Sequence, residues 1–510
     1  MFEKGYQEMD VSKPTLDGAP DSQAGQGVTA AAPAERCPVD HTAAGSAAPK
    51  AAAAPQRAPI PAESLPGSNK HALRQLVSYW RRPAAFVEEN HKKYGSRFKV
   101  SIRIPPRAVY VISDPDEVRQ MFLAPADVLH TGYGSATLEK YFGQTGLAWL
   151  DEEEHRIRRK LLMPSFHGSA LERIGASIVE MAKKDIAGWQ TGQAAPLHPL
   201  IHRFTLNVIR EVIYGRVVPK QWPALLDLLT GMMRFNDSVG SAMMIHKMPP
   251  AAVKVLTAFR PLGLHTFLQL REKADALIME TIEDRRRSGE AGDDMLAVLL
   301  GITHEDGSPL SMQEVRDEMM TIFLAGTETT VAAITWAFEY LSHATEARER
   351  LVAEIDAGES DDYLTATVNE VLRLRPSIPQ IIPREVMKPI EIGGVRYEPG
   401  MHLWASAYLM NRDPNLYADP EVFRPERFLG VKPGTYTWIP FGGGRIRCLG
   451  DRIALMEMKT VIREVLSRYE LHRADPRPEG TRSRIVVTVP EHGARLILRP
   501  REARVGTAGV

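Results

Sequence analysis

Between about Met312 and His343 the chain carries one long run at helical period, most of it "EVRDEMMTIFLAGTETTVAAITWAFEYLSH". A helix that is apolar on several faces has to be buried among others. The neighbouring sequence supplies them, since nearly every segment from about 150 to 360 repeats at helical period. Two further helices are expected at "PAAFVEENHKKYG" and "DPDEVRQMFL", the second with an aspartate at its cap. Strand patterns are short. "RFKVSIRI" and "AVYVISD" alternate like a hairpin turned at "PPR", and "PREV", "IEIGGVRY", "RIVVTVP" and "ARLILRP" follow much later. There is neither βαβ alternation nor an internal repeat. The expected fold is mainly α with a small β-sheet region to which both ends of the chain contribute, forming one large domain over 63–505. Residues 1–62, rich in Ala, Pro, Gly and Ser, cannot bury enough apolar surface to offset their ordering entropy and are expected to be a disordered tail.

Composition narrows the chemistry. Lys and Arg together number 63 and Asp and Glu 63, so no global charge points to nucleic acid. Only two cysteines are present, Cys37 in the tail and Cys448 near the other end. That excludes a disulfide framework and any site built from several thiolates. The sequence has no uncharged apolar stretch long enough to span a bilayer, and "MFEKGYQEMD" has no apolar core of a secretory signal. A cytoplasmic protein with no membrane span is expected.

Cys448 lies in "FGGGRIRCLG", residues 441–450, with four glycines and two arginines. A phosphate loop, a catalytic thiol and a thiolate metal ligand compete for such a stretch. The phosphate reading fails at Asp451, where a Walker loop has Lys and Ser or Thr. The thiol-phosphatase reading lacks an arginine shortly after the cysteine. The ligand reading uses more of the residues. Cys448 would precede the helical run "DRIALMEMKTVIREVL", whose free N–H groups favour an anion. Gly442, Gly443, Gly444 and Gly450 let the backbone lie against a flat cofactor, and Phe441 can shield the sulfur.

This loop resembles the cysteine-ligand signature of the cytochrome P-450 family, Phe-x-x-Gly-x-Arg-x-Cys-x-Gly. Phe441, Gly444, Cys448 and Gly450 match in register. The arginine position holds Ile446, flanked by Arg445 and Arg447, either of which can substitute in pairing a haem propionate. Four further motifs follow the family's order over about residues 65 to 500. "DEEEHRIRRKLLMPSF" sets His155 and Arg159 four apart on one helical face; the resemblance makes them propionate partners, along with Arg384 of "IIPREV". "AGTETT" (325–330) matches the oxygen-binding groove, with Ala325 and Gly442 among the cofactor-binding residues. There Thr329 would donate a hydrogen bond to dioxygen and Glu328 would help relay protons. "NEVLRLRP" and "FRPERF" supply Glu370, Arg373 and Arg427, a buried network that supports the cysteine loop.

The resemblance implies the P-450 fold, haem b (iron protoporphyrin IX) with Cys448 as iron ligand, and insertion of one atom of dioxygen into an apolar small molecule. Electrons would come from a separate donor, a ferredoxin with its reductase or similar, steered by Arg156, Arg445, Arg447, Arg452, Lys459 and Arg463 around the cysteine side. "HTGYGSATLEKYFG" and the methionine-rich "GMMRFNDSVGSAMMIHKMPP" would shape a pocket for a bulky apolar guest. A haem-thiolate enzyme performing coupling, isomerisation or peroxide-driven oxidation, and a haem-based sensor, remain open alternatives.

Overall fold

The structure, a computed structural model, describes residues 58–102, 108–132, 143–235, 263–289, 292–484 and 486–501. Most of the expected tail, the "PPR" turn and much of both pocket-shaping segments lie outside these residues.

The expected hairpin forms. Arg97–Ser101 and Ala108–Ile112 pair antiparallel, their alternating apolar residues Phe98, Val100, Val109 and Val111 buried. Strand Ala108–Ile112 then pairs in parallel with His402–Ala405, Val109 opposite His402. Arg384–Val386 and Leu129–His130 complete a five-stranded sheet. Its strands thus come from the two ends of the domain, as the pattern predicts. The tail boundary moves: Ile60–Pro61, assigned by composition to the tail, forms a short strand parallel to Val395–Tyr397.

Met312–His343 is a single helix of 32 residues. Its start is set by a capping box in which Ser311 Oγ accepts from Glu314 N at 3.2 Å and Glu314 Oε2 accepts from Ser311 N at 2.9 Å. Helices His198–Tyr214 and Asp451–Arg468 pack on it, as does strand Val487–Pro490. Helix Glu152–Leu162, which carries His155 and Arg159, is tied to the central helix by Arg158, 3.2 Å from Glu314 and 3.4 Å from Glu318. The loop leading into it is held the same way. Asp317 accepts from Gln144 N at 2.8 Å and Thr145 N at 3.1 Å, and Glu318 from Leu147 N at 2.9 Å.

The anticipated network of Glu370, Arg373 and Arg427 is present. Arg373 makes two hydrogen bonds to Glu370, at 2.7 and 2.9 Å, and Arg427 Nε reaches Glu370 at 3.0 Å. Carbonyls of Asn411 and Pro420, each at 2.7 Å, take further Arg373 protons. Glu370 and Arg373 are both completely buried. With every donor matched, the charges brace the segments that lead to the cysteine loop.

Candidate active site

The cysteine loop closes on itself, Cys448 N donating to Phe441 O at 2.9 Å. It rests on helix Pro115–Leu123. A Cβ on Gly444, whose φ is +67°, would come within 2.3 Å of the Phe122 carbonyl oxygen, so only glycine fits there. Gly450 is the N-cap of helix Asp451–Arg468, and its N–H points to the sulfur. Even so the thiol is raised: burial outweighs the Gly450 N–H and the nearby Arg159 and Arg447, and Asp451 adds to the rise. The helix terminus favours the thiolate, as the sequence suggests, but burial outweighs it. A coordinated metal cation would supply the missing charge and deprotonate it outright. Cys448 is desolvated by its surroundings yet its side chain stays accessible.

A cluster of cations lies on one side of this loop. Arg384 is fully buried, with long contacts to Met121 O at 3.4 Å and Gly443 O at 3.5 Å, and its Nε has no hydrogen-bond partner among the described residues. Its guanidinium lies 5.0 Å from the Phe122 ring centroid. Burial, then the Arg445 charge, lowers its pKa to about 9. His155, also buried, falls to about 4 through burial and the charges of Arg159, Arg445 and Arg384. Arg159 is lowered as well, chiefly by burial. Half-buried Asp151 is the carboxylate closest in influence, but it accepts from Thr131 N at 2.8 Å and Gly132 N at 3.0 Å. Guanidinium groups buried without full compensation fit an anionic group, with neutral His155 alongside able to hydrogen-bond it.

Both arginines flanking Ile446 are engaged elsewhere. Arg445 donates to the carbonyls of Ala124 at 2.8 Å, Ala126 at 3.3 Å and Leu129. Arg447 pairs with Asp451 at 2.9 Å and is partly exposed. They stitch the loop to its neighbours.

In the middle of the central helix Ala325 is exposed, and Gly326 and Thr329 beside it are partly so. One turn on, Thr329 Oγ1 donates to Ala325 O at 2.7 Å, and Ser377 Oγ donates to Thr329 O at 2.7 Å. Gly326 admits a neighbour, since a Cβ there would meet Ile209 at 2.5 Å. Thr321, Thr327 and Thr335 make the same bond to the carbonyl four residues back. Glu328 lies on another face. It is paired with Arg484 at 3.2 Å, with His202 at 3.9 Å, and Arg484 Nη1 also donates to His198 Nε2 at 2.7 Å. All four side chains are buried. Burial and the arginine charge push His202 to about 4 and His198 to about 2, so both rings are neutral acceptors or donors at pH 7. Sequence reasoning missed Arg484, His198 and His202. Nothing local marks them, and they meet Glu328 only through the packing of a distant hairpin and helix.

Comparison with known proteins identifies the framework. The cytochrome P450 family model matches residues 66–497. Cytochrome P450 135B1 of Mycobacterium tuberculosis is 32% identical over 444 residues, covering 85% of this chain and 91% of its own. Cytochrome P450 137 of the same organism is 34% identical over 398 residues, 77% of this chain and 81% of its own. The solved retinoic acid-bound cyanobacterial CYP120A1 superposes with a TM-score of 0.73 at 22% identity, over 87% of this chain and all of that one (100%). The P450DA haem domain gives 0.72 at 20%, over 88% and 99%. The chain belongs to the cytochrome P450 family and is a haem-thiolate monooxygenase, acting with dioxygen and a redox partner. Among the described residues no helix is long and apolar enough to cross a membrane.

Proposed function

We propose that this enzyme inserts one oxygen atom into an apolar small molecule, with haem b ligated by Cys448 and electrons delivered by a ferredoxin and its reductase in the cytoplasm. The observation that carries the reading is the pairing of an accessible cysteine at the head of a buried helix with the under-compensated guanidiniums of Arg159 and Arg384 and the neutral ring of His155. When bound, a haem held through Cys448 would supply the thiolate-promoted activation of dioxygen. Arg384 and Arg159 hold the propionates by charge and His155 by hydrogen bonding, with Phe441 and Gly442 walling the sulfur side and Ala325 leaving room on the other. Thr329 presents a hydroxyl whose proton rests on Ala325 O and whose lone pairs are free to accept one from solvent. Glu328 is ion-paired with Arg484, so proton relay through it requires that pair to open.

The electron donor reads the surface charges that are left over. Arg156 is paired with Glu153 and Arg463 with Asp361, whereas Lys160 and Arg452 are exposed and make no ion pair among the described residues. Charge reversal at Arg452 is expected to slow electron delivery and weaken its salt dependence.

Optical titration of the purified enzyme with fatty acids, terpenes, steroids and aromatic ethers tests the reading. A saturable shift of the Soret band and donor-dependent product are expected, with Thr329→Ala keeping the spectrum but consuming reductant without matching product. Absence of a thiolate-haem spectrum, or its persistence in Cys448→Ala, overturns the site.

A further inference from the structure

Residues Ser64 to Val87 contain no aspartate or glutamate but four cations, Lys70, Arg74, Arg81 and Arg82, in a chain whose charges otherwise balance. Helix Ala72–Arg81 sits inside this stretch. Its inner face is locked: Gln75 Nε2 donates to Lys70 O at 2.7 Å, Gln75 Oε1 accepts from Ser101 N at 3.0 Å, and Tyr79 meets Phe86 and Trp404 with ring centroids at 5.8 Å in both cases. Its outer face is the reverse of what a lone surface helix shows. Leu73 is 58% exposed and Val77 46%, one turn apart, with Arg81 a further turn on and Arg74 alongside. Lys70, Arg74 and Arg81 make no ion pair among the described residues, and Arg82 only brushes exposed Glu89 at 3.6 Å.

We propose that this face docks the enzyme on an anionic bilayer surface, Leu73 and Val77 entering the headgroup boundary between cations that meet lipid phosphates. Two features favour lipid over an acidic protein. The aromatic side chains that anchor protein interfaces are turned inward here, leaving aliphatics and long cationic stems outside. The face is an open groove whose rim alternates aliphatic Leu73 and Val77 with the cationic Arg74, Arg81 and Arg82, so apolar contact and positive charge lie side by side along it. An aliphatic strip flanked by lysine and arginine is the pattern of helices that lie in the membrane interface without crossing it.

Co-sedimentation of the full-length holoenzyme with vesicles of equal parts phosphatidylglycerol and phosphatidylcholine tests this. Binding is expected to the mixed vesicles, far weaker to pure phosphatidylcholine, and to fall with salt. Arg74→Gln with Arg81→Gln should weaken it about fivefold per charge, and Leu73→Ser with Val77→Ser at least as much. Melting temperature and haem spectrum should not change, because all four side chains are on the surface. Equal binding to both vesicle types, no binding to either, or retention by the serine pair overturns the proposal. Loss of electron delivery in the arginine pair without vesicle binding would overturn it too, in favour of an acidic protein on this face.

Discussion

The Glu370 triad and the Arg384 cluster bury the same kind of charge and treat it in opposite ways. Around Glu370, two guanidiniums share one carboxylate, spare protons go to main-chain carbonyls, and Arg424 N adds a bond at 2.9 Å. Around Arg384, three cationic or basic side chains crowd together and the most deeply buried has two long contacts and an orphan N–H. The first arrangement is complete without a ligand and the second is not. Satisfaction of hydrogen bonds, more than burial or conservation of charge type, separates a brace from a binding site.

Removing the carboxylate from the brace should do the most damage. Glu370→Ala strands Arg373 in the core and is expected to cost about 3–5 kcal/mol, read as loss of soluble, haem-loaded protein or a collapse in melting temperature. A tolerated variant would mean that the triad is no brace.

Glu457 is an intermediate case that sharpens the contrast. It is buried on helix Asp451–Arg468 with one hydrogen bond, from Thr205 Oγ1, and its other oxygen has no partner. Burial raises its pKa to about 8. The folded state therefore keeps a proton that the unfolded chain releases near the ordinary carboxylate range, so this residue's ionisation costs stability progressively from about pH 5 to pH 8. Measured as the difference in unfolding free energy, wild type should fall behind Glu457→Gln over that window by on the order of a few kcal/mol. Parallel pH curves would show that Glu457 has a compensating partner.

Arg384→Leu should act with the opposite sign on the two forms of the enzyme. It relieves an unpaired buried charge, so the haem-free protein gains stability, about 1–4 kcal/mol. The loaded enzyme loses a charged hydrogen-bond donor and should release haem to a stronger acceptor about tenfold faster. A loss of stability in both forms would place Arg384 with the braces. The smallest effect belongs to Arg447→Ala. Its partly exposed pair with Asp451 is worth under about 1 kcal/mol, and haem retention should hardly move if the propionates are met elsewhere.

Much of this was legible from the chain. The central helix, its cap-to-tail extent, the hairpin and the Glu370 triad follow from periodicity and from spacings of three and four. Local motifs also single out Cys448, Thr329 and Arg384. What sequence does not reveal is where a side chain's partner lies when that partner is backbone. Arg445 is spent on carbonyls of Ala124, Ala126 and Leu129, more than three hundred residues upstream, and no motif records carbonyl positions. The pairing of Glu328 with Arg484 is hidden for another reason: the two side chains meet only through tertiary packing. The thiol's raised pKa escapes too, since a helix terminus is visible in sequence and desolvation is not.

The parallel pairing of Val109 with His402 has a consequence for how the enzyme is made. During synthesis the hairpin emerges early and waits with an open edge until almost three hundred further residues have left the ribosome. The anion cage inherits that delay, because His155 and Arg159 appear long before Arg384 and Cys448. No nascent fragment can capture the cofactor in a finished cage. Cofactor supply is thus matched to completed chains, and a shortage of haem would be felt as a pool of full-length protein carrying buried, unanswered positive charge.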